Sequence, residues 1–302
     1  MKTFSIIFLM LFSLATQATC QKDRVRVQVL GSGGPELTDQ RASTSYLIWL
    51  DDKGIILLDT GTGSMLNYEK SNANPNDLSV VLFSHLHVDH SAELPALIKG
   101  FYFTGRHRDL AVFGPTGNSL LPATDKFIER LFSSTGLYPY LNAYIDSSSQ
   151  ASYHIKVRNV DVTKKQVRFV YRNAQMALSA VPVHHGPLPA LAWKIDIAGC
   201  KLVFSGDMNN QFHTLAGLAQ HANLLIAHHA IPEQAQGVAR QLHMPPSEIG
   251  RIAAEAKVKK LVLSHRMTRT FGQEVKTRKQ IAKEYSGTVL FANDMDIFHP
   301  GY

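Results

Sequence analysis

The chain is poor in cysteine, with only Cys20 and Cys200 among its 302 residues. Cys20 lies where a signal peptidase would cut the precursor, so we expect Cys200 to have no partner in the mature protein. A single remaining cysteine forms no internal disulfide, which excludes the small disulfide-stapled class of protein. We therefore expect stability to come from a buried core, which a chain of this length can build.

Long apolar runs are also scarce, and the clearest one lies at the start of the chain. Lys2 precedes an apolar stretch from Thr3 to Leu14, and the small and polar segment ATQATC follows. This stretch is shorter than the ~20 residues that span a bilayer, and it has the form of a secretory signal peptide. We predict a signal peptide over residues 1–20, a single domain over residues 21–302, and a secreted or periplasmic protein. Lipid attachment at Cys20 is left as an alternative.

Charged residues make up only 18% of the chain, although the net charge is +7. The basic residues are scattered along the sequence, without the interleaved aromatic residues that support single-strand binding. We therefore expect a small-molecule substrate, no nucleic acid and no stable membrane span. The chain also lacks a G-x-S-x-G motif and a G-x-G-x-x-G loop that opens onto a helix, so neither a serine nucleophile nor a dinucleotide fold is indicated.

Apolar segments of strand length recur along the chain and alternate with helical patterns. VRVQVL, STSYLIWL, GIILLDTG and LSVVLFSH are strands by their β-branched and apolar content, and DDKG is a hairpin turn. Strands resume after residue 152 and then alternate with helices. This order predicts an α/β (α+β) fold in which two packed sheets have helices outside, as a four-layer αββα sandwich.

One short stretch, FSHLHVDHSAE, carries an unusual density of metal-binding side chains. His85, His87, Asp89 and His90 occupy six positions directly after an apolar strand. Neutral imidazole and carboxylate suit Zn²⁺ and similar divalent ions. These four residues begin two sites but complete neither, so further ligands must come from elsewhere in the chain.

Later strand ends offer those ligands in the same local context, a hydrophobic strand followed by a polar residue. SAVPVHHG ends on His184 and His185, KLVFSGD ends on Asp207, and KKLVLSH ends on His265. Alternation along VPVHH does not decide between the two adjacent histidines.

The segments LLDTGTG, SHLHVDH, VHHGPLPALAWKI, FSGD and LVLSH, in this order, resemble the metallo-β-lactamase-fold superfamily, and its ribonuclease Z-like branch most of all. The resemblance implies two divalent ions, Zn²⁺ by default, with Mn²⁺ or iron as alternatives. It assigns His85, His87 and His185 to one ion, Asp89, His90 and His265 to the other, and Asp207 to both. Asp59 would orient a ligand imidazole.

The same resemblance implies hydrolysis by a water activated between two cations. Asp89, His243 and His229 are the candidate catalytic residues, and a histidine could protonate the leaving group. His229 stands where the branch carries glutamate. The alternative for His228 and His229 is an ordinary hydrogen-bonding role at a strand end.

The substrate is predicted from what the chain lacks relative to that branch. Its transfer-RNA processing members carry a long arm between the third histidine and the bridging aspartate, whereas here only residues 186–206 lie between them. We therefore expect an exported hydrolase of a small ester, lactone, sulfate or phosphodiester. The alternatives are a ribonuclease Z-like endoribonuclease that processes transfer RNA and a non-catalytic metal-binding protein. A homodimer is left open.

Overall fold

The computed structural model describes residues 19–301 and contains two seven-stranded sheets. The predicted signal peptide falls almost wholly on residues outside that range. In chain order the strands are β1 Val25–Gly31, β2 Ser45–Leu50, β3 Lys53–Leu58, β4 Val80–Leu82, β5 Leu110–Pro115, β6 Ile155–Val160, β7 Arg168–Arg172, β8 Met176–His185, β9 Leu188–Ile197, β10 Cys200–Phe204, β11 Leu224–His228, β12 Lys260–Ser264, β13 Thr288–Phe291 and β14 Ile297–Phe298. The first sheet has the order β14-β1-β2-β3-β4-β5-β6 and the second β13-β12-β11-β10-β9-β8-β7.

Helices connect the strands and cover the outer faces of the sheets. They are α1 Ser64–Lys70, α2 Val88–Ser91, α3 Leu94–Phe101, α4 Thr124–Phe132, α5 Leu215–Leu218, α6 Gly237–Leu242, α7 Pro246–Glu255 and α8 Glu274–Ile281, with 3-10 turns at Lys22–Arg24, Pro139–Tyr144 and Thr268–Thr270. No helix within residues 19–301 is both long and apolar enough to cross a membrane.

The apolar strands are buried on both faces, which explains their nearly continuous hydrophobic sequences. On β2, Tyr46 and Ile48 face the cluster that fills the space between the two sheets. Their neighbours Leu47 and Trp49 face a second cluster, beneath helices α3 and α4. A third cluster packs α5 and α7 onto the second sheet. The predicted αββα sandwich is therefore confirmed.

The central strands of both sheets run parallel, and this brings their carboxyl ends to one edge. In the first sheet β3, β4, β5 and β6 pair in parallel, and in the second sheet β10, β11, β12 and β13 do so. A side chain that follows one of these strands therefore lies close to side chains that follow its neighbours. This edge is where the metal-binding residues meet.

Cys20 and Cys200 form a disulfide, with their Cα atoms 4.2 Å apart. The expectation of an unpaired Cys200 is wrong, and so is that of a free Cys20 available for a lipid. The backbone N–H of Gln21 also donates to the carbonyl of Ala198, in the turn between β9 and β10, at 3.0 Å. The segment before β1 is thus held against the second sheet, where the sequence alone placed no contact.

Replacing Cys200 by serine is expected to lower the free energy of unfolding by about 2–4 kcal/mol, because the disulfide closes a long loop in the unfolded chain. The two cysteines are separated by 180 residues. Denaturant unfolding of the oxidised protein and of the C200S variant measures the difference. C20S should show the same loss, and a reductant should leave both variants unchanged. Equal midpoints for wild type and C200S would contradict the prediction.

Candidate metal centre

The loop after β4 carries four metal-capable side chains, and three of them are buried. His85 lies just beyond the strand, and the short helix α2 then turns the chain so that Asp89 and His90 are also buried. The hydroxyl of Ser91 donates to the His87 carbonyl at 2.9 Å and closes this turn. The ring centroids of His85 lie 4.7 Å from those of His87 and 4.1 Å from those of His90.

A first group of three imidazoles consists of His85, His87 and His185, with one ring nitrogen of each within 4.8 Å of the others. His185 reaches it from the end of β8. The adjacent His184 points elsewhere, since its Nδ1 lies 3.1 Å from Oδ1 of Asn209. The geometry therefore brings His185, and not His184, to the other two rings.

A second group consists of Asp89, His90 and His265. Oδ2 of Asp89 lies 3.4 Å from Nε2 of His90 and 3.3 Å from Nε2 of His265. His265 directly follows β12, and the glycine loop after β1 packs against its ring. A Cβ at Gly34 would lie 2.8 Å from Cε1 of His265, so a side chain there would displace the imidazole.

Asp207 lies between the two groups. Its Oδ2 is 3.8 Å from Nε2 of His90 and 3.7 Å from Nε2 of His185, while its Oδ1 is 3.3 Å from Nε2 of His265. The tight turn that aims this carboxylate depends on Gly206, whose φ is +59° and whose absent Cβ would meet the Leu191 carbonyl oxygen at 2.8 Å. Only glycine combines that dihedral with that close approach.

Hydrogen bonds fix the ring tautomers so that Nε2 atoms point into the cluster. Nδ1 of His90 donates to Asp59 at 2.8 Å, and Nδ1 of His185 donates to the Leu242 carbonyl at 3.1 Å. Nδ1 of His85 lies 3.1 Å from Oγ of Ser84. The Nε2 atoms of these three rings are buried and have no hydrogen-bond partner. Buried polar atoms without a partner are costly, and ring nitrogens placed in this way fit metal binding.

The charge of the cluster leads to the same conclusion. Burial lowers the pKa of His85 well below its usual value and also lowers the pKa of His87 and His185, which favours the neutral rings that bind metals. Burial also opposes a charged His90, but Asp89 and Asp59 outweigh it and raise its pKa. A divalent ion would take the place of that proton. The His/Asp cluster is therefore suited to a divalent metal.

Asp59 supports the cluster from outside it, as the sequence predicted. It follows β3 with a φ of +59°, and besides His90 it accepts hydrogen bonds from the backbone N–H and the hydroxyl of Ser84, each at 2.7 Å. All its contacts lie in the first sheet. It therefore holds the loop after β4 in place.

His228 is a functional residue that the sequence reasoning left with an ordinary role. Its Nδ1 donates to Oδ1 of Asp207 at 2.7 Å, and its Nε2 accepts from the Tyr46 hydroxyl at 3.1 Å. Burial lowers the pKa of His228 to about 4, so the ring is neutral. The buried chain from Tyr46 through His228 fixes the rotation of the Asp207 carboxylate. His228 ends a strand like the other candidates, and that shared context was the available signal.

The two candidate proton donors have different surroundings. His243 follows α6, and its Nδ1 is buried without a hydrogen-bond partner, 4.0 Å from Oδ2 of Asp207. His229 lies away from the cluster, against Thr277 and Phe291, with its Nε2 3.3 Å from the Thr277 hydroxyl. The structure therefore does not bring His229, expected as a catalytic residue, to the cluster.

A pocket of about 370 Å³ opens onto the cluster. Its floor contains His87, Asp89, His185, Asp207, His243 and His265, and its walls contain Pro35, Val238, Ala239, Leu242, Met267 and Arg269. Among the described residues that line the pocket, Arg269 is the one arginine or lysine, and its Nε donates to the Ala230 carbonyl at 2.7 Å. The pocket thus offers Arg269, His243 beside the two metal-binding groups, and mainly apolar walls to a substrate.

The fold and the cluster define a metal-dependent hydrolase. The family model of the metallo-beta-lactamase superfamily matches residues 38–265, and the chain belongs to this superfamily. A ribonuclease Z from Mycobacterium marinum is 25% identical over 287 residues, which cover 90% of this chain and 97% of that protein.

Two solved structures share the fold over most of both chains. Human tRNase Z, short form, superposes with a TM-score of 0.71 at 18% identity and covers 92% of this chain and 100% of its own. The metallo-beta-lactamase fold protein YhfI from Bacillus subtilis superposes with a TM-score of 0.69 at 22% identity, covering 91% and 98%.

These relatives overturn two expectations. Nucleic acid was excluded as a partner, yet the relative matched over nearly its whole length is named a ribonuclease. The expectation of a secreted or periplasmic protein is wrong for the same reason, because an exported protein would not meet the RNA on which ribonucleases act. The apolar start on which it rested lies in residues 1–18, outside the described range.

Proposed function

We propose that the protein is a metal-dependent phosphodiesterase that cleaves RNA, as a ribonuclease Z does. The observation that carries the proposal is the match over 97% of a ribonuclease Z, which spans the whole cluster. Of the reactions considered from the sequence, hydrolysis of an RNA phosphodiester replaces hydrolysis of a small ester, lactone or sulfate.

We further propose that His85, His87 and His185 hold one Zn²⁺ and that Asp89, His90 and His265 hold a second. The orphaned Nε2 atoms of His85, His90 and His185 support this assignment. The position of Asp207 between the groups suits a carboxylate shared by both ions. Bound ions of this kind activate water and neutralise charge that develops on a phosphoryl oxygen.

The chain's own residues have separate tasks in this proposal. His228 and Tyr46 hold the Asp207 carboxylate, and Asp59 holds His90. Arg269, at the wall of the pocket, is placed to pair with a phosphate oxygen of the substrate. His243, on the floor, is placed to protonate the leaving oxygen. The apolar side chains of α6 exclude water from one side of the pocket.

A substrate comparison tests the proposal. The purified protein is offered a precursor transfer RNA, bis(4-nitrophenyl) phosphate, an aryl ester and a lactone, and its metal content is measured in parallel. We expect Zn²⁺ in the protein, faster turnover of the RNA than of the small diester, and loss of both activities after chelation. Turnover of the ester or lactone without cleavage of RNA would refute it.

A further inference from the structure

The phosphate backbone of an RNA needs a basic surface beyond the pocket, and the region between His185 and Asp207 does not supply one. Residues 186–206 consist of β9, β10 and short turns. An arm of the kind that the ribonuclease Z-like branch carries at this point is therefore absent from it. If the protein cleaves RNA, the phosphate backbone of the RNA must be bound by another surface of the protein near the pocket.

A groove of about 370 Å³ beside α8 contains three lysines on one side. Lys276 and Lys279 lie on α8, and Lys283 lies in the turn that continues it. Their spacing of three and four residues places them on one helical face, over about 10 Å at about 1.5 Å per residue. All three are exposed.

The three ammonium groups have no acidic partner. In the described part of the chain none of them takes part in an ion pair or a side-chain hydrogen bond. Glu233, the one carboxylate among the groove residues within 19–301, is already engaged, since it accepts from the backbone N–H of Ser247 at 2.9 Å and from its hydroxyl at 2.6 Å. The groove therefore has an excess of uncompensated positive charge.

One end of the groove lies near the pocket, where α8 begins after the loop that contains His265 and Arg269. Its residues Pro232 and Glu233 follow β11, which ends at His228, and α8 begins nine residues after His265. Arg269, in the pocket wall, donates to Ala230, two residues before Pro232. Arg269 thus connects the pocket wall to the chain segment that lines the groove.

We propose that Lys276, Lys279 and Lys283 bind the phosphate backbone of the RNA whose scissile bond lies in the pocket. This inference rests on the proposed function and names how its substrate is held. Each lysine neutralises a phosphate and releases a condensed counterion. The binding is therefore sensitive to salt and indifferent to base sequence, and small diesters do not depend on it.

The test replaces the three lysines by glutamine together, as K276Q/K279Q/K283Q. Lys53, Lys257 and Lys259 supply the matched control, because they are exposed and lie at or just before the start of β3 and β12, at the edge opposite the cluster. The triple variant K53Q/K257Q/K259Q removes the same charge. Binding of a single-stranded RNA and of the precursor transfer RNA is measured by fluorescence anisotropy between about 50 and 200 mM salt.

We expect the α8 variant to bind RNA about 10- to 100-fold more weakly at low salt and the slope of log K against log salt to shrink by about 2. KM for RNA should rise with kcat unchanged, and turnover of bis(4-nitrophenyl) phosphate should equal that of wild type. The control variant should behave as wild type.

The outcomes separate this inference from the proposed function. Cleavage of RNA by wild type with equal binding by the two triple variants would overturn the lysine surface and leave the function standing. Binding of RNA that depends on the three lysines, without cleavage, would support the surface and refute the function. Absence of RNA binding by wild type at low salt would overturn both.

Discussion

Replacing Asp207 by alanine is expected to abolish hydrolysis of RNA and of small diesters alike. The carboxylate lies within 4 Å of ring nitrogens of His90, His185 and His265, so its removal takes the shared ligand from both groups. Loss of several kcal/mol of transition-state stabilisation corresponds to at least about 10³ in kcat. We also expect metal content to fall, which elemental analysis of the purified variant measures.

A matched control separates this effect from a general loss of negative charge. Asp196 lies on β9 of the same sheet and pairs with Lys194 at the surface, at 3.3 Å. D196A should keep full activity and full metal content. Activity of D207A within a few-fold of wild type would end the assignment of Asp207 to the centre.

Replacing His243 by alanine is expected to slow RNA cleavage by about 10²- to 10⁴-fold, the usual size of a general acid contribution. Burial lowers the pKa of His243 to about 3, so the ring is neutral in the free protein at pH 7. The negative charge of a phosphodiester beside it raises that pKa. We therefore expect the ring to gain a proton when the substrate binds and to give it to the leaving ribose oxygen.

The nature of the leaving group provides the decisive comparison. A nitrophenolate departs without a proton, so H243A should hydrolyse bis(4-nitrophenyl) phosphate at close to the wild-type rate. H243Q, which keeps a polar side chain but does not titrate, should behave like H243A. His184 supplies the control, because its ring is directed to Asn209 and away from the cluster. An equal loss on both substrates would assign His243 to metal or substrate binding instead.

The elements of the fold that are determined by neighbouring residues could be predicted from the sequence. The hairpin at DDKG forms with Asp51 and Asp52 both at positive φ, 49° and 62°, as a tight turn between β2 and β3 requires. The convergence of the cluster followed from the place of its residues at strand ends: His85 and His265 come after parallel strands, and His185 ends β8, which is antiparallel to β9. Helix α4 begins only at Thr124, because Asn118 first closes a turn on Leu120 and Leu121.

What escaped prediction depends on distances across the fold. The disulfide needs two residues 180 positions apart to meet, and no local pattern encodes that contact. The choice between His228 and His229 depends on which face the last residue of β11 presents, and both are histidine. The lysines of α8 look scattered in the sequence. Their shared helical face and its position near the pocket are apparent only in the folded structure.

The metal-binding cluster combines side chains from both sheets, and this affects how long the folded protein persists. His85, His87, Asp89 and His90 belong to the first sheet, and His185, Asp207 and His265 to the second. An ion bound by side chains from both sheets would stabilise their association, because the sheets could not separate without releasing the ion. The supply of metal would then set how long each molecule survives as well as how fast it works.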